Sequence, residues 1–148
     1  MPRYSIGFVS TATGTGAPIA TIEAPTRQLR VWEIGVFCNA ATASGVSLFR
    51  NTASGEANST ATSVGQAFCP ADVAGTGLMG TAWSTAPTIT AASRLRRGQL
   101  PATIGAGLIW TFPMPLLIRN GTKTDYLVLW NESGSTNSVL NGYVTWDE

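Results

Sequence analysis

Every apolar run in this chain is short, and turn-forming residues interrupt it before a helix can be built. The stretches "TATGTGAP" (11–18), "NAATASG" (39–45) and "ESGSTNS" (132–138) separate runs rich in Val, Ile, Leu, Phe, Tyr and Trp. No window sustains a helical period, and β-branched and aromatic residues dominate the runs, which points to strands. Strands are predicted at 4–9, 18–24, 29–38, 46–51, 64–68, 95–101, 108–112, 116–118, 126–131 and 139–146. Residues 29–51 and 126–146 are expected to form hairpins. Residues 70–92 form a long connection of the kind that carries function or covers an edge or a partner. The run "YLVLW" is apolar on both faces and belongs inside a sheet. The expected class is all-β, a jelly-roll-like β-sandwich of about eight antiparallel strands.

At 148 residues the chain is one domain, 1–148, with a core of useful size. Residues 1–10 are expected to serve as an N-terminal arm for subunit or capsid contacts. Only 11% of residues are charged, against about 25% in ordinary globular domains. Either neighbours cover part of the surface, or the surface is a Thr/Ser-rich β face. The net charge of +1 gives no field that would favour nucleic acid or an anionic membrane. The region "IGAGLIWTFPMPLLI" (104–118) is too short to span a bilayer, and Pro113 and Pro115 break it. No signal peptide opens the chain, so folding in a cytoplasm is expected and the sequons at Asn58, Asn120 and Asn131 carry no glycan.

Histidine is absent, which removes the usual general base and the commonest metal ligand. Cys38 and Cys69 are far apart with no CxxC, so no zinc site is expected. Two buried thiols are the simpler reading, and a disulfide requires neighbouring strands. "TATGTGAP" precedes no helix and is read as a turn, not a phosphate loop. No cofactor, metal or catalytic residue is expected.

Glu33 is the residue most in need of explanation. Alternation places Trp32, Ile34, Val36 and Cys38 on one face and Glu33 on the other. A carboxylate there is costly unless paired, and Arg30 or Arg50 are candidate partners. An Arg–Glu pair would fix register or bridge subunits, whereas a glycosidase-like role needs a second acid nearby. In "SRLRRGQLP" (93–101), Arg94 and Arg96 are expected on one face and Arg97 on the other. The cluster either docks an acidic partner or guards an edge strand. Trp32, Trp110 and Trp130 are expected in the core. Trp83, with Met79, is expected as an exposed aromatic–Met interface anchor. A carbohydrate platform of Trp and Tyr requires coplanar exposed rings.

The strings "RVWEIGVFCNAATASGVSLFRNT", "RLRRGQLPATIGAGLIWTF" and "NSVLNGYVTWDE" resemble a group of small proteins common in tailed-phage and metagenomic sequences. The shared pattern is an "EIGVF" hairpin, an "IGxGxIWTF" segment and a terminal "GYxxWDE". The resemblance implies a jelly-roll virion protein similar to trimeric capsid decoration or cement proteins. On that basis the expected role is non-enzymatic: decorating and stabilising a phage capsid as a homo-oligomer, a trimer, bound to the major capsid protein or another virion protein. No nucleic-acid or membrane partner is expected, and the location would be the virion, assembled in the host cytoplasm. The alternative is a tail or fibre protein that binds a host-surface glycan or receptor. The expected interface residues are Arg94, Arg96, Arg97, Met79, Trp83, Glu33 and Arg50.

Overall fold

Alternating apolar residues bounded by turn clusters become strands here, and the register of those strands decides which side chains meet. The computed structural model describes residues 1–51, 63–121 and 125–148. Glu56, Lys123 and the sequon at Asn58 lie outside the described residues. The strands are β1 (Arg3–Val9), β2 (Pro18–Glu23), β3 (Leu29–Cys38), β4 (Ser44–Arg50), β5 (Ser63–Val64), β6 (Gln66–Ala67), β7 (Leu78–Gly80), β8 (Arg94–Leu100), β9 (Gly107–Ile118), β10 (Leu127–Asn131) and β11 (Leu140–Asp147). They form two antiparallel sheets, ordered β6-β1-β11-β3-β9 and β5-β7-β2-β10-β4-β8. The fold is an all-β sandwich, as the alternation predicts. The predicted 108–112 and 116–118 runs are one strand, β9. The short strand β7 falls within 70–92, which was expected to be a connection, because its pairing to β2 is non-local.

The two expected hairpins are not hairpins. β3 pairs with β9 and β11, while β4 pairs with β8 and β10 in the other sheet. The loops after Cys38 and after Asn131 are therefore corners that carry the chain from one sheet to the other. Polar side chains supply the hydrogen bonds that a hairpin ladder would otherwise make. The buried Asn131 amide donates to the carbonyls of Thr13 (2.7 Å), Gly14 (3.0 Å) and Ser135 (3.0 Å). Its oxygen accepts from the Ser133 backbone N–H at 2.8 Å. The Asn137 side chain exchanges hydrogen bonds with the Gly45 backbone, donating at 2.9 Å and accepting at 3.1 Å.

Pairing is nested from the ends inward: β1 with β11, β2 with β10, β3 with β9, and β4 with β8. The first and second halves of the chain are thus laid against each other like the arms of one long hairpin, then rolled so that successive pairs fall in opposite sheets. Residues 3–9 are consequently a strand within the five-stranded sheet, not an extended arm.

The inner faces form one core, with Val46, Leu48, Leu127 and Leu129 on one side and Ile6, Ile34, Val36 and Val144 on the other. Trp146 is its largest side chain, 1% exposed and stacked on Tyr4 at 5.9 Å. The ring lies flush against Gly65 and Gly77, where a Cβ would come within 2.2 and 2.8 Å of it. Those glycines let the connection cross the indole. Its Nε1–H has no partner among the described residues.

Trp146→Ala is expected to lower unfolding free energy by about 3–5 kcal/mol in urea titration. Trp146→Phe should cost clearly less, because it removes the orphaned donor along with part of the ring. Asn131→Ala is expected to cost about 2–4 kcal/mol, since several buried backbone groups lose their partner at once.

Candidate functional site

The outer faces of the two sheets differ. On the six-stranded sheet the row Thr21, Val128 and Phe49 is paired across three strands and fully buried. The connection before β8 covers it. Trp83 donates its indole N–H to the Thr21 hydroxyl at 3.2 Å, and the Thr88 backbone N–H donates to the Asn51 side chain at 3.2 Å. Trp130 closes edge-on against Phe49. The outer face of the five-stranded sheet has no such cover: Val9, Ile109, Thr111 and Asn141 are exposed on it.

A break in the ladder shapes this open face. Glu33 pairs with Thr145 on one side and Thr111 on the other, whereas Val31 pairs with Trp146 and Leu116. Trp32 is the extra residue of a β-bulge, and residues 112–115 of β9 stand opposite it. Pro113 and Pro115 have no N–H to complete a ladder there, which confines them to an edge strand such as β9. The bulge turns Val31 and Ile34 both inward and Trp32 and Glu33 both outward, a re-aiming that bulges perform beside functional sites. Trp32 is therefore not a core residue on the face of Ile34, as strict alternation predicts. Trp110 packs against the core and Trp130 sits half-buried on the outer face, so the buried indole is Trp146.

Over the bulge lies a cleft of about 360 Å³ lined by Arg3, Trp32, Glu33, Phe68, Thr111 and Thr145. That volume falls at the lower end of ordinary small-ligand sites. Its side chains are fixed by their neighbours. The Trp32 indole N–H donates to Asp147 Oδ2 at 2.6 Å, and Arg3 Nε–H donates to Asp147 Oδ1 at 3.0 Å. The Arg3 guanidinium lies 5.7 Å from the Trp32 ring centroid. Tyr143 lies across Gly35, stacks on Phe37 at 6.4 Å, and donates its hydroxyl to Glu33 Oε1 at 2.6 Å. That hydrogen bond, with burial and the nearby negative charge, pushes the Tyr143 phenol up to about 12. Tyr143 thus stays a donor at neutral pH and holds the carboxylate in place. Glu33 Oε2 has no partner among the described residues.

The other expected site residues are dispersed. Arg50 is not the partner of Glu33, because β4 lies in the opposite sheet; it donates to the carbonyls of Leu117 at 2.8 Å and Asp125 at 3.2 Å. Met79 is 2% exposed, a core residue of β7, and Trp83 is half-buried on Thr21, so the two form no exposed anchor. The expected facing of the arginines is also corrected. A register shift between Leu48 and Phe49 against β8 puts Arg94 and Arg97 on one face, both toward Glu132. Arg96 points the other way and covers the Phe112 ring at 5.4 Å. Burial raises the Glu132 carboxyl, but hydrogen bonds from Arg94 and Ser47 and the charges of Arg94 and Arg97 hold it below the ordinary range. Cys38 is buried and Cys69 exposed, both as free thiols, so the expectation of two buried thiols fails at Cys69.

Sequence reading singled out Glu33 but missed Arg3, Phe68, Tyr143 and Asp147, which reach the site through non-local pairing. The one available signal was the Pro113/Pro115 doublet, which marks a strand that cannot keep a regular ladder. No protein-family model and no curated protein matches this chain.

Tyr143 supplies a direct check of the cleft. In ultraviolet titration its phenol is expected to ionise near pH 12, and Glu33→Gln should move that step toward the ordinary value of about 10. The raised value contributes stability that is fully present below about pH 10 and is lost as pH rises through the folded value.

Proposed function

We propose that this chain is a structural protein of a tailed-phage particle, a jelly-roll module that decorates and stabilises the capsid as a closed oligomer. The jelly-roll reading draws on strand order. Numbered by their sequence among themselves, the eight longest strands run 1-8-3-6 in one sheet and 2-7-4-5 in the other. This order supports a double Greek key of the kind found in viral capsid and lectin domains.

The observation that carries the assembly reading is the apolar rim along β9. Met114 is 83% exposed, and Ile109, Leu117 and the preceding Ile104 are also uncovered. Large apolar side chains left uncovered along one edge strand suit a surface that meets another protein. The rim lies on an edge strand in which Pro113 and Pro115 offer no N–H, so open-ended strand addition is blocked there. Contact then runs through side chains, and closed symmetry, a trimer, covers such a rim without runaway growth. The major capsid protein would take the remaining contacts. The basic edge strand β8 contributes less than composition suggests, because Arg94 is paired with Glu132 and Arg97 lies 3.8 Å from the same carboxylate. The alternative, a tail or fibre module for a host-surface glycan, draws on the cleft at Trp32 instead.

Purified protein is expected to sediment as a small closed oligomer, and Met114→Asp to yield monomers that keep the far-ultraviolet circular dichroism of the folded β-sandwich. Particles of the parent phage should carry the protein at a copy number comparable to the capsid protein. A monomeric wild-type chain, or a handful of copies per particle, would overturn the decoration reading.

A further inference from the structure

We infer that the cleft over the Trp32 bulge is a binding site for a neutral saccharide. The inference does not depend on where in a particle the protein sits. The Trp32 and Phe68 rings supply apolar walls, and Phe68 is 59% exposed with nothing of its own chain covering it to that extent. An uncovered aromatic ring beside polar groups suits a ligand that is apolar on one face and hydrogen-bonding at its rim.

The polar lining narrows the class. Glu33 offers one oxygen as an acceptor, its other being held by Tyr143. Arg3 offers its terminal nitrogens as donors, since only its Nε–H is engaged with Asp147. The hydroxyls of Thr111 and Thr145 can donate or accept. A hydroxyl-bearing ring satisfies all of these at once, because each of its hydroxyls is both donor and acceptor. An anionic ligand meets the Glu33 carboxylate. A cationic one meets the Arg3 guanidinium, which already lies against the Trp32 ring. The site is also pre-formed: Asp147 fixes Trp32 and Arg3, and Tyr143 fixes Glu33. Little ordering therefore accompanies binding.

The test is titration of the full-length protein with cello-, malto-, xylo- and chito-hexaose, followed by two-dimensional NMR. A hyaluronan hexasaccharide serves as the acidic probe and an oligolysine as the cationic one. At least one neutral hexasaccharide is expected to bind saturably, with shifts centred on the Trp32 indole N–H, Thr111 and Thr145. Phe68→Ala, at an exposed position that leaves the core intact, is expected to weaken that binding about tenfold or more. Trp32→Ala should abolish it, and Glu33→Gln should weaken it without unfolding the chain. Three results would each overturn the inference: no saturable shift with any neutral probe at millimolar concentration, binding undiminished by Phe68→Ala, or tighter binding of the acidic or the cationic probe.

Discussion

The structure depends on the docking of its last strand into the middle of a sheet. β11 lies between β1 and β3, so the extreme ends of the chain are hydrogen-bonded neighbours, with Tyr4 opposite Trp146. No local segment can make this pairing; it forms only when the whole chain has come together. Such long-range closure is slow and cooperative. What it stabilises is proportionate, because Trp146 is the indole around which Tyr4, Leu29, Gly65 and Gly77 are arranged. The same strand carries Tyr143, Thr145 and Asp147 to the opposite face. Core and cleft are therefore two sides of one strand, and neither exists before β11 is in place.

The nested order has a second consequence. Because the bend of the long arms falls between β4 and β8, the chain between them is available to lie over one side of the sandwich. Trp83 and Thr88 tie that connection to the six-stranded sheet, and Phe49 and Val128 are buried although they face away from the core. The other sheet receives no such cover. A protein with few charges has a limited supply of polar surface, and this one leaves bare the face that bears Trp32, Glu33, Tyr143 and Ile109.

Much of the local structure was legible in the residues, and little of the pairing was. The bounds of β3 follow directly from its apolar alternation and its flanking turn residues. Period alone, however, cannot say which strand a strand will meet. That is why 29–51 and 126–146 read as hairpins although they turn corners between sheets. The corners are held by Asn131 and Asn137, whose side chains bond to backbone far away in sequence. Glu33 was visible as a carboxylate needing a partner, but the partner is a tyrosine on a strand more than a hundred residues later. The bulge at Trp32 was hidden for a different reason. It belongs to the relation between β3 and its neighbours, and strict alternation assumes that relation to be regular. The same assumption misplaced Arg94, Arg96 and Arg97, where the register shifts against β4.

The cleft and the most exposed residue of the β9 rim both lie at that one irregularity. Residues 112–115 of β9 cannot follow β3, since Pro113 and Pro115 withhold two of the donors that a ladder would use. Where the ladder opens, Trp32 swings outward and the cleft forms beside it. In the same stretch, Met114 is the most exposed large apolar side chain among the described residues. A regular strand in place of β9 would remove the bulge beside the cleft and restore a pairing edge open to any passing strand. The proline doublet thus exchanges a ladder of backbone hydrogen bonds, which would recruit strands without selectivity, for two surfaces whose selectivity lies in side chains.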